Sequence, residues 1–408
     1  MADFRPFHGW RPPPALAALV AAVPYDVVDT IEARALARDN PHSLLHVTRP
    51  DIDLPDDVSP HADVAYETAR AALLRLVESG ALVEDPARSY YAYAQHMNGR
   101  RQLGLIGLAS ADEYWSGAIK RHELTRAEKE EDRLRHVRTL GAHMGPVFLT
   151  YRATDALDAL MEVVSASAPE VDFVAVDGIR HQLWPITDEA RLEALGAAFA
   201  AVDTLYIADG HHRAAAASRV GRDDPSGSPS RHFLACAFPH EQLQILPYYR
   251  VVKDLDQFTP ESFRAALSKT FHLERLPGPE EALARHVFVM GLRGDGFYRL
   301  TLLDPSSVDE SDPVSRLDVS ILQDRVLSPL LKILDPRRDT RIDFVGGIRG
   351  PAELERRLAQ DAVVAFALHP TSLDDLMAIS DANQIMPPKS TWFEPKLRSG
   401  MVISRFRR

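Results

Sequence analysis

Near its middle the chain reads Leu205-Tyr206-Ile207-Ala208-Asp209-Gly210-His211-His212-Arg213, and alanines occupy positions 214 to 217. The first residues of this stretch are apolar and suit a buried strand that ends at Asp209. Gly210 permits a sharp turn, and the alanines that follow are the strongest helix formers. The stretch therefore predicts a strand, a polar turn and a helix.

The predicted turn concentrates charged and titratable side chains within five positions. Backbone N–H groups and the positive end of the helix dipole attract phosphate there, and Gly210 lets the backbone approach it. Arg213 adds a guanidinium that suits a tetrahedral oxyanion. Asp209 is expected to hold a magnesium ion or accept a proton, and His211 or His212 to act as acid or base. The alternative is a solvated turn in which Asp209 only caps the helix.

A second charged segment lies near position 120. The cations Lys120, Arg121 and Arg126 stand before or at the start of a helix expected from residue 126 onward. A nucleotide with several phosphates needs such cations to offset its charge, so these three are candidates for cofactor binding. Glu123 is a candidate to take a substrate proton or to hold the metal. The alternative is a solvated helix with many salt bridges, which is the usual meaning of a charge run.

Two further polar sets are candidates for substrate binding. Lys389, Ser390 and Thr391 follow two prolines, in a rigid loop that would present a cation and two hydroxyls to an anion. Their order is similar to the end of a P-loop, but the upstream Gly-x-x-x-x-Gly is absent, which excludes a Walker A site. Tyr25 and Asp26 form a weaker set near the start of the chain, where isolated polar residues are more often caps.

The composition excludes several classes of function. The 408 residues have a formal net charge of −11, so sequence-independent DNA binding is not expected. Cys236 is the single cysteine, which leaves no intramolecular disulfide and no thiolate zinc site. A metal site formed by His211 and His212 together is not favoured, because neighbours on a turn rarely converge on one ion. No long apolar run and no apolar leader is visible, so neither membrane insertion nor secretion is expected and the expected location is the cytoplasm.

Strands and helices alternate along the chain, which predicts a fold of the α/β to α+β class with a mixed sheet and a substantial antiparallel part. The clearest elements are an amphipathic helix at 61–79 and a hairpin whose strands flank Asn98-Gly99. Short strands are expected at 25–28 and 44–47. A lobe boundary is expected near 255–275, which divides the chain into a nucleotide-binding region, 1–260, and a C-terminal α/β lobe, 261–408.

Several motifs occur in a fixed order over essentially the whole chain. They are Pro24-Tyr25-Asp26-Val27-Val28, Asn40-Pro41-His42-Ser43, Lys120-Arg121-His122-Glu123 with Thr125-Arg126 and Lys129-Glu130, Asp209-Gly210-His211-His212-Arg213, and Met386-Pro387-Pro388-Lys389-Ser390-Thr391. This set resembles a prokaryotic family long catalogued as a domain of unknown function. The Asp-Gly-His-His-Arg turn is also similar to the nucleotide-phosphate turn of the ParB/sulfiredoxin superfamily. It matches best the turn of the free-serine kinases, Asp-Gly-His-x-Arg, and it lacks the cysteine of the sulfiredoxin turn.

The resemblance implies a ParB/sulfiredoxin-like core with an additional C-terminal lobe. It implies that Gly210, His211 and Arg213 hold nucleotide phosphates and that Asp209 serves the metal or the reaction. The expected function is therefore a Mg²⁺-dependent phosphotransferase that uses ATP or ADP and acts on a small hydroxylated metabolite, with free serine as the first candidate. A phosphatase or other phosphoester hydrolase with the same turn is one alternative. A regulatory nucleotide- or DNA-binding module in the manner of the partition proteins is the other, and the acidic charge disfavours it.

Overall fold

Strands from both halves of the chain form two large sheets. In the computed structural model, which describes residues 2–407, the strands are β1 (Phe4–Arg5), β2 (Trp10–Arg11), β3 (Val83–Glu84), β4 (Tyr90–Met97), β5 (Arg100–Ser110), β6 (Ile119–Lys120), β7 (Ala142–His143), β8 (Val147–Tyr151), β9 (Val171–Val174), β10 (Arg180–Ile186), β11 (Leu205–Asp209), β12 (His232–Pro239), β13 (Gln244–Leu246), β14 (Tyr248–Val252), β15 (Phe271–Leu276), β16 (Val287–Leu292), β17 (Gly296–Leu302), β18 (Ile342–Gly346), β19 (Val364–Leu368), β20 (Trp392–Glu394) and β21 (Ser404–Arg405).

The helices range from a single turn to four turns. They are α1 (Ala17–Val20), α2 (Thr30–Ala37), α3 (Leu45–Thr48), α4 (Asp63–Glu78), α5 (Ala111–Ser116), α6 (Ala127–Leu140), α7 (Asp155–Ser165), α8 (Glu189–Ala200), α9 (His211–Asp223), α10 (Pro260–Leu267), α11 (Asp318–Leu322), α12 (Ala352–Gln360) and α13 (Leu373–Asp381). A π-helical turn at Gln323–Leu327 continues α11. Within residues 2–407, no helix has the length and apolar character needed to cross a membrane.

The prediction of two short strands near the start of the chain is wrong. Residues 25–28 form turns and bends, and Leu45–Thr48 is the helix α3. This helix is buried at Leu45, Val47 and Thr48, and it packs against α4. A run of four residues, three apolar and one histidine, has no period that separates a strand from a buried helical turn, so the tertiary contact decides its conformation.

The first large sheet is mixed, as expected. Its strand order is β6-β11-β8-β12-β5-β4-β10-β9, with β1 paired to β5 as well. The pairs β6–β11 and β8–β12 are parallel and the remaining pairs are antiparallel. The hairpin β4–β5 is confirmed, and Asn98 and Gly99 at its tip have φ values of 51° and 76°. Two successive positive φ values are what a two-residue hairpin turn requires.

The second large sheet is wholly antiparallel. Its strand order is β15-β17-β16-β19-β14-β18. Tyr249, Val251 and Val289 from its strands share a core with Leu354 and Leu358 of α12. The strands β13 and β20 form a separate two-stranded antiparallel sheet.

The chain divides into two compact units at positions that differ from the expected boundary. The first unit runs to Leu243 and resumes at Pro395, and the second spans Gln244–Glu394. The expected division at residue 260 fell after β13 and β14, which pair with strands of the second unit. The expected C-terminal lobe also included residues 395–408, whereas β21 pairs with β7 in the first unit. Both differences arise from strand pairings between segments far apart in sequence.

Helix α9 is held against the first sheet by small side chains. Ala214, Ala215 and Ala217 share one apolar core with Leu205 and Ile207 of β11. On another side, α9 packs against α6, where Arg219 lies 3.0 Å from Glu130 and 3.1 Å from Glu131. The strand β11 and the helix α9 are thereby fixed on both sides of the turn that joins them.

Candidate functional site

The turn between β11 and α9 has the predicted strand–turn–helix form. Gly210 adopts the left-handed conformation, with φ 90° and ψ 33°, at the N-cap of α9. The register between β11 and β8 shifts between Ile207 and Asp209, which is typical of a bulge that redirects the end of a strand. Within residues 2–407, no side chain caps the first turn of α9. Its leading N–H groups are therefore left for a ligand or solvent.

The guanidinium of Arg213 folds back over this turn. Its Nη1 donates to the carbonyl oxygen of Pro146 at 2.6 Å, and its Nη2 lies 3.2 Å from Oδ2 of Asp209. The Nε atom is buried and has no hydrogen-bond partner among the described residues. A Cβ atom at Gly210 would lie 3.0 Å from Nε and Nη2 of Arg213. Glycine is thus required both by the backbone conformation and by this close approach.

Asp209 lies between two cations. Lys396 Nζ is 3.6 Å from its Oδ1, on the opposite oxygen from the one that faces Arg213. Burial alone would raise the pKa of Asp209, but Lys396 and Arg213 outweigh burial and hold the pKa below its usual range. The carboxylate is therefore ionised near neutral pH. No pattern in the sequence singles out Lys396, because this part of the chain has no helical or strand period. Its return to the first unit follows from tertiary contacts.

The segment around position 120 meets the turn. Strand β6 runs parallel to β11 and places Lys120 opposite Tyr206. The backbone N–H of Arg126 donates to Nε2 of His212 at 3.1 Å, across 86 positions of sequence. The rings of His122 and His211 meet edge to face, with centroids 4.5 Å apart. The structure therefore brings together two of the motifs that the sequence singled out separately.

Burial keeps the histidines of this region neutral. It lowers the pKa of His122 to about 3 and that of His211 to about 4, and it also lowers the pKa of His212. Because Nε2 of His212 accepts a hydrogen bond from Arg126, the ring proton of the neutral form lies on Nδ1. At neutral pH these rings offer lone pairs and N–H donors rather than positive charge.

Glu123 adds a carboxylate to the two facing imidazoles. Its Oε2 lies 3.9 Å from Nδ1 of His211, and its side chain is 40% exposed. One ligand atom from each of His122, Glu123 and His211 lies within 4.8 Å of the others. Nε2 of His211 is buried and unpartnered in the part of the chain that the structure describes. These three residues form a group at this turn that is spaced to share a metal ion.

Arg121 and Arg126 lie on the exposed side of the same segment. Arg121 stacks over the ring of Tyr114 at 5.0 Å, and its Nη1 lies 3.2 Å from the Tyr114 hydroxyl. The charge of Arg121 also contributes to the lowered pKa of His211, which indicates that the guanidinium acts on the turn.

Tyr25 and Asp26 also lie beside the turn. A cavity of about 50 Å³ is lined by Tyr25 and Arg213, together with residues that include Arg133 and Ser399. The guanidinium of Arg133 lies 4.0 Å from the centre of the Tyr25 ring. The charge of Asp26 acts to raise the pKa of His212, although burial outweighs it. The structure thus places Tyr25 and Asp26, which the sequence marked only weakly, in the same region as the turn.

Lys389, Ser390 and Thr391 belong to the second unit, where hydrogen bonds within that unit hold the first two. Ser390 Oγ donates to the carbonyl of Pro387 at 2.6 Å, and Arg250 Nη2 donates to the carbonyl of Lys389 at 2.9 Å. The ammonium of Lys389 lies 5.4 Å from the ring centre of Tyr248. The substrate-binding role of this loop stays a prediction.

Replacing Gly210 with alanine is expected to destabilise the first unit by about 1–2 kcal/mol, since an L-residue is strained in the left-handed region. The added Cβ would also displace the Arg213 guanidinium. Equilibrium unfolding in denaturant measures the loss. Gly178→Ala is the matched control, because Gly178 has φ 79° but no described atom within 4 Å of an added Cβ. An equal loss of unfolding free energy in both variants would show that the contact between the added Cβ and Arg213 does not contribute to the destabilisation.

Comparison with known proteins identifies a family. Residues 4–320 match the profile described as a protein of unknown function, DUF1015, which confirms the resemblance to a family of that kind. No curated protein matches the chain.

Solved structures give only distant matches. A free serine kinase mutant in complex with ADP is 12% identical, with a TM-score of 0.37, over 72% of this chain and 91% of that one. SbnI with a C-terminal truncation, from Staphylococcus aureus, is 13% identical, with a TM-score of 0.39, over 72% and 87%. A conserved hypothetical protein from Pyrococcus furiosus is 13% identical, with a TM-score of 0.35, over 73% and 94%. At these TM-scores the likeness supports no statement about the function of this chain, and the ParB/sulfiredoxin-like core stays a prediction.

Proposed function

We propose that this chain, which belongs to the DUF1015 family, is a nucleotide-dependent phosphotransferase. The phosphates of ATP or ADP bind at the turn between Asp209 and Arg213, and the phosphoryl group passes to a small hydroxylated acceptor. Free serine is the first candidate acceptor. The observation that carries the proposal is the convergence of the segment around position 120 on the N-terminus of α9.

The electrostatics of this convergence favour a polyanion. The first turn of α9 has no side-chain cap from the described residues, so its N–H groups and the helix dipole both face an incoming phosphate. Lys120 lies on the strand beside β11, and Arg121 and Arg126 lie on the exposed side of the same segment. Because a transferring phosphoryl group has charge on several oxygens, cations from two segments stabilise it better than one cation would.

Arg213 is the residue best held for contact with a phosphate oxygen. Pro146 and Asp209 fix two of its guanidinium nitrogens, and its buried Nε has no partner in residues 2–407. A guanidinium fixed in this way loses little further entropy when it binds an anion. In this arrangement Asp209 serves as the counter-ion that orients Arg213.

The metal chemistry of the proposal centres on Glu123 rather than Asp209. Magnesium prefers oxygen ligands and is usually held by one or two carboxylates together with substrate phosphates, whose charge it neutralises. Both oxygens of Asp209 already face cations, whereas Glu123 is half-exposed beside the turn. Glu123 fits the role of a carboxylate that meets a nucleotide-bound Mg²⁺. The acid–base roles of His211 and His212 stay predictions.

The cavity beside Arg213 favours a small acceptor. Its volume of about 50 Å³ accommodates only a few water-sized groups. Its surface is largely apolar, with polar groups from Tyr25, Thr48 and Ser399 and from two arginines and two histidines. Tyr25 therefore supplies a hydroxyl near the place where an acceptor would meet the phosphate. An amino acid with a short hydroxylated side chain fits this description better than a sugar or a nucleoside does.

The decisive experiment measures nucleotide conversion by the purified chain. ATP or ADP with Mg²⁺ is incubated with free serine or other hydroxylated amino acids, and the phosphorylated product is detected by phosphorus NMR. Conversion is expected with a hydroxylated acceptor and not with alanine, which lacks the hydroxyl. Absence of nucleotide binding at millimolar concentration with Mg²⁺ would contradict the proposal. Release of free phosphate from a phosphorylated metabolite without added nucleotide would identify a phosphoester hydrolase instead.

A further inference from the structure

We propose that His122, Glu123 and His211 form a site for one divalent transition-metal ion of the zinc class. The site does not depend on the proposed phosphotransferase activity, because the ligands come from the protein alone. It shares Glu123 with the proposed magnesium site but differs from it in its donor atoms, since two of its three ligands are imidazole nitrogens.

The spacing of the three side chains suits a single ion. Their ligand atoms lie within 4.8 Å of one another. Nitrogen and oxygen ligands of zinc lie about 2.0–2.2 Å from the metal, which puts two tetrahedral ligands roughly 3.5 Å apart. The group must therefore contract by roughly 1 Å. Glu123 is 40% exposed, so its side chain can rotate to close the set without disturbing the core.

His122 is oriented as metal-binding histidines usually are. Its ring makes a hydrogen bond with the backbone of Ile207, in the strand that leads to the turn. Histidine ligands commonly donate one ring N–H to a backbone carbonyl or carboxylate, which fixes the ring and places the lone pair on the other nitrogen. The residue is 2% exposed, so its orientation is set by the protein and not by solvent.

His211 contributes a second buried imidazole. It is 6% exposed, its Nδ1 lies 3.9 Å from Glu123, and its Nε2 has no hydrogen-bond partner within residues 2–407. Because Nδ1 is the ring atom near Glu123, its lone pair is the one that a shared ion would use, and the neutral ring would hold its proton on Nε2.

The donor set identifies the class of ion. Two imidazole nitrogens and one carboxylate, with a fourth position open, are the protein ligands of many catalytic zinc sites. Magnesium and calcium prefer a shell made entirely of oxygen. The nearby charges of Arg121 and Arg213 oppose a cation, and Asp209 partly offsets them. The same positive field favours an anionic fourth ligand, such as a phosphate oxygen, over water.

Metal titration of the full chain tests the site without any nucleotide. The protein is first treated with a chelator, and Zn²⁺ is then added while binding is followed by calorimetry. One equivalent is expected to bind, and millimolar Mg²⁺ is expected not to displace it. Co²⁺ serves as a spectroscopic probe, and it is expected to give the intense visible absorption of a four-coordinate ion. Failure of the wild-type chain to bind a stoichiometric equivalent of Zn²⁺ would overturn the proposal.

Substitutions assign the ligands. His122→Ala and His211→Ala are expected to abolish stoichiometric binding, but both residues are buried and these variants can fail to fold. Glu123→Gln keeps the size of a half-exposed side chain, so it is expected to weaken Zn²⁺ binding at least about tenfold with an unchanged melting temperature. Glu128→Gln, an exposed glutamate in the first turn of α6, is the matched control. Unchanged Zn²⁺ affinity in Glu123→Gln would show that Glu123 is not a ligand. This conclusion would hold even if the rate of phosphoryl transfer fell because Glu123 also acts as a base.

Discussion

Replacing Arg213 with alanine is expected to lower kcat/KM for nucleotide-dependent phosphoryl transfer by about 10²–10³-fold, the usual cost of losing one preorganised donor to a developing oxyanion. The guanidinium is held by Pro146 and Asp209, and its buried Nε faces the turn where phosphate is proposed to bind. Steady-state kinetics with varied nucleotide and a saturating hydroxylated acceptor measure the loss. Calorimetric titration with ADP shows how much of the loss in kcat/KM comes from weaker nucleotide binding.

Arg219→Ala is the matched control for this prediction. Arg219 lies further along the same helix, where it is paired with Glu130 and Glu131 on α6. Its removal is expected to leave kcat/KM close to the wild-type value. Arg213→Lys is expected to give an intermediate rate, since an ammonium keeps the charge but not the fork of donors. A folded Arg213→Ala protein with the wild-type rate would exclude Arg213 from the site.

Acidification is expected to destabilise the first unit before the second. Burial lowers the pKa of His136, His143 and His181 to about 3, 4 and 3, well below the value of about 6.5 expected in an unfolded chain. These three rings are therefore neutral in the folded protein and become protonated on unfolding. Since the unfolded state binds more protons below pH 6.5, each ring costs about 1.4 kcal/mol of stability per pH unit there, until the folded pKa is reached.

Asp318 in the second unit behaves in the opposite way. Burial raises its pKa to about 7, so the folded state binds the extra proton as the pH falls below that value. The unfolded chain takes up this proton only near the ordinary pKa of an aspartate, about 3.9. Falling pH therefore stabilises the second unit through this group over the same range in which the three histidines destabilise the first.

Hydrogen exchange of the full chain at several pH values, corrected for intrinsic exchange rates, measures this difference. Between about pH 6.5 and about pH 5, amides of β4, β8 and β10 are expected to lose protection while those of the second sheet change less. His143→Gln removes one of the buried titrating rings of the first unit and is expected to reduce the slope for that unit by about 1.4 kcal/mol per pH unit. An equal loss of protection in both units would contradict the prediction that the buried histidines destabilise the first unit while Asp318 stabilises the second.

Local features of the fold were predictable where one short stretch contains all the determinants. The turn at Gly210 combines an apolar strand, a residue that accepts positive φ, and a run of helix formers, and the structure has that form. The hairpin at Asn98-Gly99 is similar, because the turn residues themselves select the two positive φ values. The stretch 44–47, with three apolar residues and one histidine, contains no such determinant, and its helical conformation follows from packing against α4.

The candidate site was predictable only in pieces. The sequence singled out the residues of the turn, the cations near position 120 and Tyr25 with Asp26, each from its own composition. It contained no signal for Lys396, whose contact with Asp209 requires the last residues of the chain to return to the first unit. It also gave no reason to pair His122 with His211, since that contact depends on the parallel pairing of β6 with β11.

The sequence by itself determined the turn of residues 209–213, because the conformations of strand, glycine and helix depend on interactions within a few residues of one another. The tertiary structure decided what surrounds that turn: the carboxylate of Asp209 held between Lys396 and Arg213, and the imidazoles of His122 and His211 facing each other beside Glu123. Strand pairing between distant segments produces those contacts. Such pairing depends on the packing of the whole sheet, which no single stretch of the sequence specifies.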